Sequence, residues 1–154
     1  LGDVYKRQRN HSLYLTAGNV YVYQMRQYCL LNIVTRTAEV PECILIRALE
    51  PQAGMAKMQQ RRHQEGVGLT NGPGKLCQAF AIDRALDGSR LNAGGLQLTA
   101  TTFQPRHITI GPRIGIPNKE PWTSAPLRFS VQGNPFVSGT ARRDQDLKTR
   151  GWQS

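Results

Sequence analysis

Two runs of β-branched, aromatic and aliphatic residues, Val20 to Tyr23 and Tyr28 to Thr35, stand only four mostly polar residues apart. Runs of that composition over so short a gap fold back on each other as an antiparallel hairpin, and Arg26 falls at its tip. The rest of the fold has to be built around that hairpin. Leu13-Tyr14-Leu15 reads as a strand before it, with a turn at Ala17-Gly18-Asn19, and Cys43 to Leu49 reads as a further strand that ends at Glu50-Pro51.

Helical spacing replaces alternation in two places. Met55, Met58, Gln59 and Arg62 predict a helix from Gly54 to about His63, with Gly66 as its expected stop. A Gly-Pro-Gly turn at 72–74 then opens a second helix whose apolar face is Leu76, Ala79, Phe80 and Ile82. Beyond Asp87-Gly88, short alternating segments recur between Gly and Pro breaks. Leu96 to Thr99, Ile108 to Ile110, Arg113 to Ile116 and Leu127 to Val131 are read as strands. The expected fold is a single α+β domain on a curved, mainly antiparallel sheet. Residues 1–8 show no periodicity and are read as a foreign or unstructured leader, the domain is placed at 9–138, and 139–154, rich in charge, is read as a disordered tail.

Charge narrows the function. Lys and Arg number 20 against 10 Asp and Glu, a net +10, and a polyanion is the natural partner for such a chain. Cys29, Cys43 and Cys77 are odd in number and set among apolar neighbours, as reduced intracellular cysteines are. With His11, His63 and His107 they give no zinc spacing, so no metal and no cofactor are expected. No apolar run reaches the length of a membrane span, and no membrane partner is expected.

Several residues invite two readings. Gly72-Pro73-Gly74-Lys75 lacks the spacing of a nucleotide-phosphate loop, and Leu76 stands where the metal-binding hydroxyl would be. It is either a plain helix start or a seat for one DNA phosphate. Tyr21, Tyr23 and Tyr28 either pack on strands or stack an unpaired base. Asn32, inside an apolar strand, needs hydrogen bonds, from the backbone or from a base edge. Arg47, in Ile44 to Leu49, needs a partner too, and Glu50 or Glu42 would serve.

Six blocks occur in a fixed order: Tyr21-Val22-Tyr23, Asn32-Ile33, Ile46 to Pro51, Gly72 to Ala79, Arg113-Ile114-Gly115-Ile116 and Pro126-Leu127-Arg128-Phe129. In this the chain resembles the methylpurine (3-methyladenine, or alkyladenine) DNA glycosylase family. The resemblance implies a base-excision repair enzyme with a DNA-inserting hairpin. Such an enzyme bends double-stranded DNA, pushes the hairpin tip into the minor groove, flips out an alkylated or deaminated purine and hydrolyses its N-glycosidic bond.

By position the resemblance makes Tyr23 an aromatic wall of the base pocket and Asn32 the residue that crowds the exocyclic amino group of a normal guanine. Arg47 and the main-chain carbonyl of Ile114 would hold the attacking water. Lys75 would take a DNA phosphate, with Arg62 and Arg84 as further DNA-binding candidates. A monomer in the bacterial cytoplasm or eukaryotic nucleus is implied.

The chain departs from the family pattern twice. The family's general-base glutamate, a second aromatic wall and a pocket histidine lie N-terminal to the block that begins here at Arg9-Asn10, and none has a counterpart. The expectation is an N-terminally truncated, catalytically inert copy. At the hairpin tip the family places an intercalating tyrosine and a glycine, whereas this chain has Arg26 and Gln27, with Tyr28 as the alternative wedge. Two other readings compete with the enzyme: a non-catalytic damaged-DNA-binding module, and an RNA-binding domain, which lacks any recognisable aromatic or GxxG signature.

Overall fold

The computed structural model describes residues 10–153, so the expected leader lies outside the described residues. Among the described residues the architecture is α+β, with two antiparallel sheets and two α-helices, and the chain divides into two compact units between Thr99 and Ala100.

In the first unit, β1 (Val20–Met25) and β2 (Tyr28–Val34) form the expected hairpin, and β3 (Cys43–Leu45) adds to the far side of β2. The register pairs Val20 with Ile33, Val22 with Leu31 and Met25 with Tyr28, and it pairs Asn32 with Tyr21 on one side and Leu45 on the other. Because side chains alternate across a strand, Val20, Val22, Leu31 and Ile33 share one face of the sheet, while Tyr21, Tyr23, Asn32 and Cys43 share the other.

The first of these faces carries the core. Val20, Val22 and Leu31 are buried with Leu76 and Cys77 of the second helix, α2 (Pro73–Phe80), and with Ile82 just beyond it. The first helix, α1 (Met55–Arg62), places Met58 against Leu69 and Ala79 in a smaller cluster. Its basic end closes α2: Arg61 Nη1 donates to the Ala79 carbonyl at 2.8 Å and Arg62 Nη1 to Gln78 Oε1 at 2.8 Å. Cations at a helix C-terminus also oppose the negative end of its dipole.

The outer edge of β1 is covered by the turn at 84–89. Val20 exchanges backbone hydrogen bonds with Ser89 and Gly88, Val22 N–H donates to Asp87 Oδ1 at 2.8 Å, and Arg84 Nη1 donates to the Val22 carbonyl. Edge groups that would otherwise invite another strand are thereby satisfied.

The second unit pairs β4 (Ile108–Gly111) with β5 (Arg128–Val131), matching two expected strands. Residues 139–153, expected to be a disordered tail, are instead folded into it. Asp146 accepts from the N–H groups of Lys148 and Thr149, Trp152 pairs with Pro105 in an isolated bridge, and the rings of Phe103 and Trp152 lie 5.9 Å apart. One carboxylate gathering local donors gives the segment the order that its few apolar residues do not. The Asp146 carboxyl is held down to about 2 by the Thr149 hydroxyl first and by those N–H groups next.

Other elements differ from the sequence expectation for local reasons. Leu13 to Leu15 falls in and just after a 3₁₀ turn, His11–Tyr14, closed by short-range bonds to the Asn10 and Ser12 carbonyls. The strand expected from Cys43 to Leu49 stops at Leu45, and Leu49 is then pinned by Thr70, which is fully buried and exchanges backbone and hydroxyl hydrogen bonds with it. Helix α1 ends at Arg62, four residues before Gly66, because His63 itself takes a left-handed φ of 51° and its N–H returns to the Gln59 carbonyl. Among the described residues Leu96 to Thr99 pairs with no strand, the Asn92 side chain taking the Leu98 N–H. Arg113 to Ile116 turns at Gly115, whose φ is +79°.

Candidate functional site

The sheet face not used by the core carries two residues expected of a base pocket. Tyr23 is 39% exposed, and its ring centroid lies 6.3 Å from that of Tyr21 at a tilt of 51°. Tyr21 itself is buried, donates its hydroxyl to Asn10 Oδ1 at 2.9 Å, and burial above all pushes its phenol up to about 12. The outer ring is therefore available for stacking while the inner one is fixed.

Asn32 stands one strand away, directly paired with Tyr21 and 7% exposed. Its Nδ2 donates to the backbone carbonyls of Tyr21 at 3.2 Å and Leu30 at 3.0 Å, while Oδ1 accepts from the Cys43 thiol at 3.7 Å. Of the two readings open for this amide, the structure realises the backbone one. An amide so anchored is also a rigid obstacle, with both ends of its dipole set by the sheet. The involvement of Cys43 escapes a reading of linear sequence. Its only signal is register, since Cys43 pairs with Val34 and so shares a face with Asn32.

Arg47 lies two residues beyond Leu45, the ladder partner of Asn32, and is half-buried. Glu42 is committed elsewhere, to the Thr35 hydroxyl at 2.8 Å first and Arg36 Nε at 3.1 Å next, which hold its carboxyl below the usual range. Ile114 belongs to the second unit, where it lines an open cavity of about 550 Å³ with Arg128, Ser130 and Thr140. In the first unit an open recess of about 450 Å³ is lined by Thr16, Thr35, Arg36 and Arg90, none of them an expected site residue.

The expected DNA-binding cations separate into two kinds. Arg26 occupies the hairpin turn at a left-handed φ of 55° and is exposed. Lys75 is exposed on the first turn of α2, its Nζ 2.9 Å from Asn71 Oδ1. By contrast, Arg62 bridges Gln78 and the Gly68 carbonyl, and Arg84 pairs with Asp87 Oδ2 at 3.2 Å while bonding β1. Those two guanidinium groups are structural members of the unit. Tyr28, the alternative wedge, sits at the start of β2 beside Gly74 of α2.

Among the described residues no three His, Cys, Asp or Glu side chains stand together as a metal site, and no helix is long and apolar enough to cross a membrane. The sequence profile described as Methylpurine-DNA glycosylase (MPG) matches residues 4–135, a span that takes in part of the expected leader. A protein of Lactiplantibacillus plantarum named "Putative 3-methyladenine DNA glycosylase" is 52% identical over 147 residues, covering 95% of this chain and 70% of its own length. Proteins with the same name from Staphylococcus aureus and Staphylococcus saprophyticus are 46% and 45% identical over 143 residues, covering 92% of this chain and 71% and 70% of their own lengths.

Proposed function

The chain belongs to the methylpurine-DNA glycosylase family and is thereby a hydrolase of the DNA glycosylase class, and we propose that its first unit receives a damaged purine flipped from duplex DNA. The observation that carries this reading is the pairing of a half-exposed Tyr23 ring with a buried, backbone-anchored Asn32 on the face the core leaves free.

Stacking on the Tyr23 ring is worth about 1–3 kcal/mol and is indifferent to base identity. Selectivity comes from Asn32. Its amide cannot rotate without breaking two bonds to backbone carbonyls, so a purine bearing the 2-amino group of guanine meets a fixed obstacle. Hypoxanthine and alkylated adenines lack that group and fit. A damaged base also costs less to unstack, which adds selectivity before the pocket is reached.

Arg26 enters the minor groove at the hairpin tip and Lys75 takes a phosphate at the start of α2, where exposed N–H groups favour an anion. Arg47 orients the water that attacks the anomeric carbon as the purine leaves. The carboxylate that deprotonates this water is assigned to none of the ten in the sequence. Asp83 caps a 3₁₀ turn, Asp87 holds β1 and Asp146 organises the second unit, which leaves each occupied. The chain works as a monomer on intracellular DNA.

The test uses the 154-residue chain with duplexes carrying one hypoxanthine, one 3-methyladenine or no lesion. We expect tighter binding to both lesions than to intact DNA, loss of that preference in Asn32→Ala, and no excised base. Equal affinity for all three duplexes would reduce the reading to nonspecific charge binding. Base release above background would place the general base among those ten carboxylates. Selective binding without release is also what a non-catalytic lesion-binding module would show.

A further inference from the structure

Gly74 has no conformational reason to be glycine. It lies in the first turn of α2 with an ordinary helical backbone, where alanine is intrinsically the better residue. What it meets is Tyr28. A Cβ added at Gly74 would fall 3.2 Å from Tyr28 Cβ, 3.2 Å from Cδ1 and 3.3 Å from Cγ, closer than such carbons ordinarily pack. The first of those atoms is the root of the side chain. It cannot swing aside by rotation about χ1, so the added carbon would have to shift the start of β2 or the first turn of α2 by a few tenths of an ångström.

The consequence reaches both exposed cations of the proposed interface. Tyr28 is the first residue after the Arg26-Gln27 turn and pairs with Met25 across it. Gly74 immediately precedes Lys75. Below the contact, Leu31 of β2 packs with Leu76 and Cys77 of α2, which fixes the two elements at their buried ends. The approach of Tyr28 to Gly74 sets their separation at the exposed end.

We propose that Tyr28 and Gly74 form a spacer that holds Arg26 and Lys75 at the separation needed to engage one DNA duplex, with Tyr28 a positioning residue before it is anything else. This rests on the reading of Arg26 and Lys75 as DNA contacts. It makes this tip different in kind from an intercalating one: the aromatic ring next to the turn is used against the protein's own helix.

The experiment measures affinity of the full 154-residue chain for a hypoxanthine duplex in Arg26→Ala, Lys75→Ala, Gly74→Ala, Tyr28→Ala and the Gly74→Ala/Tyr28→Ala pair. Thermal midpoints and the amide NMR shifts of residues 25–28 are recorded for each. Arg26→Ala and Lys75→Ala test the underlying reading, and each is expected to weaken binding several-fold. Gly74→Ala is expected to weaken it about tenfold with its thermal midpoint kept and the shifts of residues 25–28 moved. In the Tyr28→Ala background the same methyl should cost clearly less than tenfold, since Cγ and Cδ1, two of the three atoms it meets, are gone and only Cβ remains. If the two cation variants weaken binding but Gly74→Ala does not, or if its effect is additive with Tyr28→Ala, the spacer is wrong. If neither cation variant weakens binding, the interface reading falls and takes the spacer with it. Should Gly74→Ala unfold, unchanged DNA affinity in Tyr28→Ala would overturn the inference by itself.

Discussion

The two faces of the β1–β2–β3 sheet are built from the same strands, residue by residue in alternation, and they differ in almost everything else. One presents Val20, Val22 and Leu31, buried against α2. The other presents Tyr21, Tyr23, Asn32 and Cys43, where each buried polar atom is tied to backbone or to a neighbour and one ring stays open to solvent. The comparison shows how a small domain separates folding from recognition without separate segments for each. A period of two assigns odd and even positions to different tasks. It also means that neither face can shift register without destroying both.

Breaking the apolar face should have the largest effect. Leu76→Ala removes a fully buried side chain between α2 and the sheet and is expected to cost about 2–5 kcal/mol, measured by urea denaturation. A loss under about 1 kcal/mol would mean that this face is not the main support. On the opposite face, Asn32→Ala takes the donor from two backbone carbonyls, and about 1–3 kcal/mol of stability should go together with discrimination between hypoxanthine and guanine duplexes. Discrimination that survives the substitution would separate Asn32 from recognition altogether.

Tyr23→Ala should sharpen the contrast, because the ring is half-exposed. Lesion affinity is expected to fall by about 1–3 kcal/mol in a fluorescence titration, with stability changed by less than about 0.5 kcal/mol. For Tyr21 the readout is pH. Its folded phenol ionises near 12, above the ordinary 10, so the stability it contributes is complete below pH 10 and is lost as pH rises toward 12. Tyr21→Phe should flatten the parent's decline over that interval, and parallel curves would show that the phenol contributes none of it. The smallest effect is expected from Arg26→Gly. Relief of a left-handed φ offsets the added chain entropy of glycine to within a few tenths of a kcal/mol, so thermal stability should hold while DNA affinity falls.

The same alternation explains what could be read from the linear sequence. The hairpin, its tip at Arg26, both helices and the strands at β4 and β5 follow from local composition and spacing. Leu96 to Thr99 is misread because one side chain outbids the ladder for a backbone group, as Asn92 does for Leu98, while Leu13 to Leu15 and Arg113 to Ile116 are taken up by local turns. Arg62 and Arg84 look like free cations in sequence because nothing local shows that Gln78, Gly68 and Asp87 will stand within reach. Tyr23 and Asn32 could be placed as neighbours on one face, since hairpin register follows from the turn. The Cys43 thiol and the Gly74 approach depend on elements brought in from further along the chain, and no local pattern encodes them.

The turn at 84–89 that lies along β1 has a bearing on how copies of this chain behave toward one another. Free strand edges are where proteins recruit each other into extended aggregates. Here Asp87, Gly88 and Ser89 already hold the groups a visiting strand would need at Val20 and Val22, and the Arg84–Asp87 pair adds charge to the same flank. A protein present at high local concentration along a polyanion can thus crowd side by side with its hairpin still a single molecule's own.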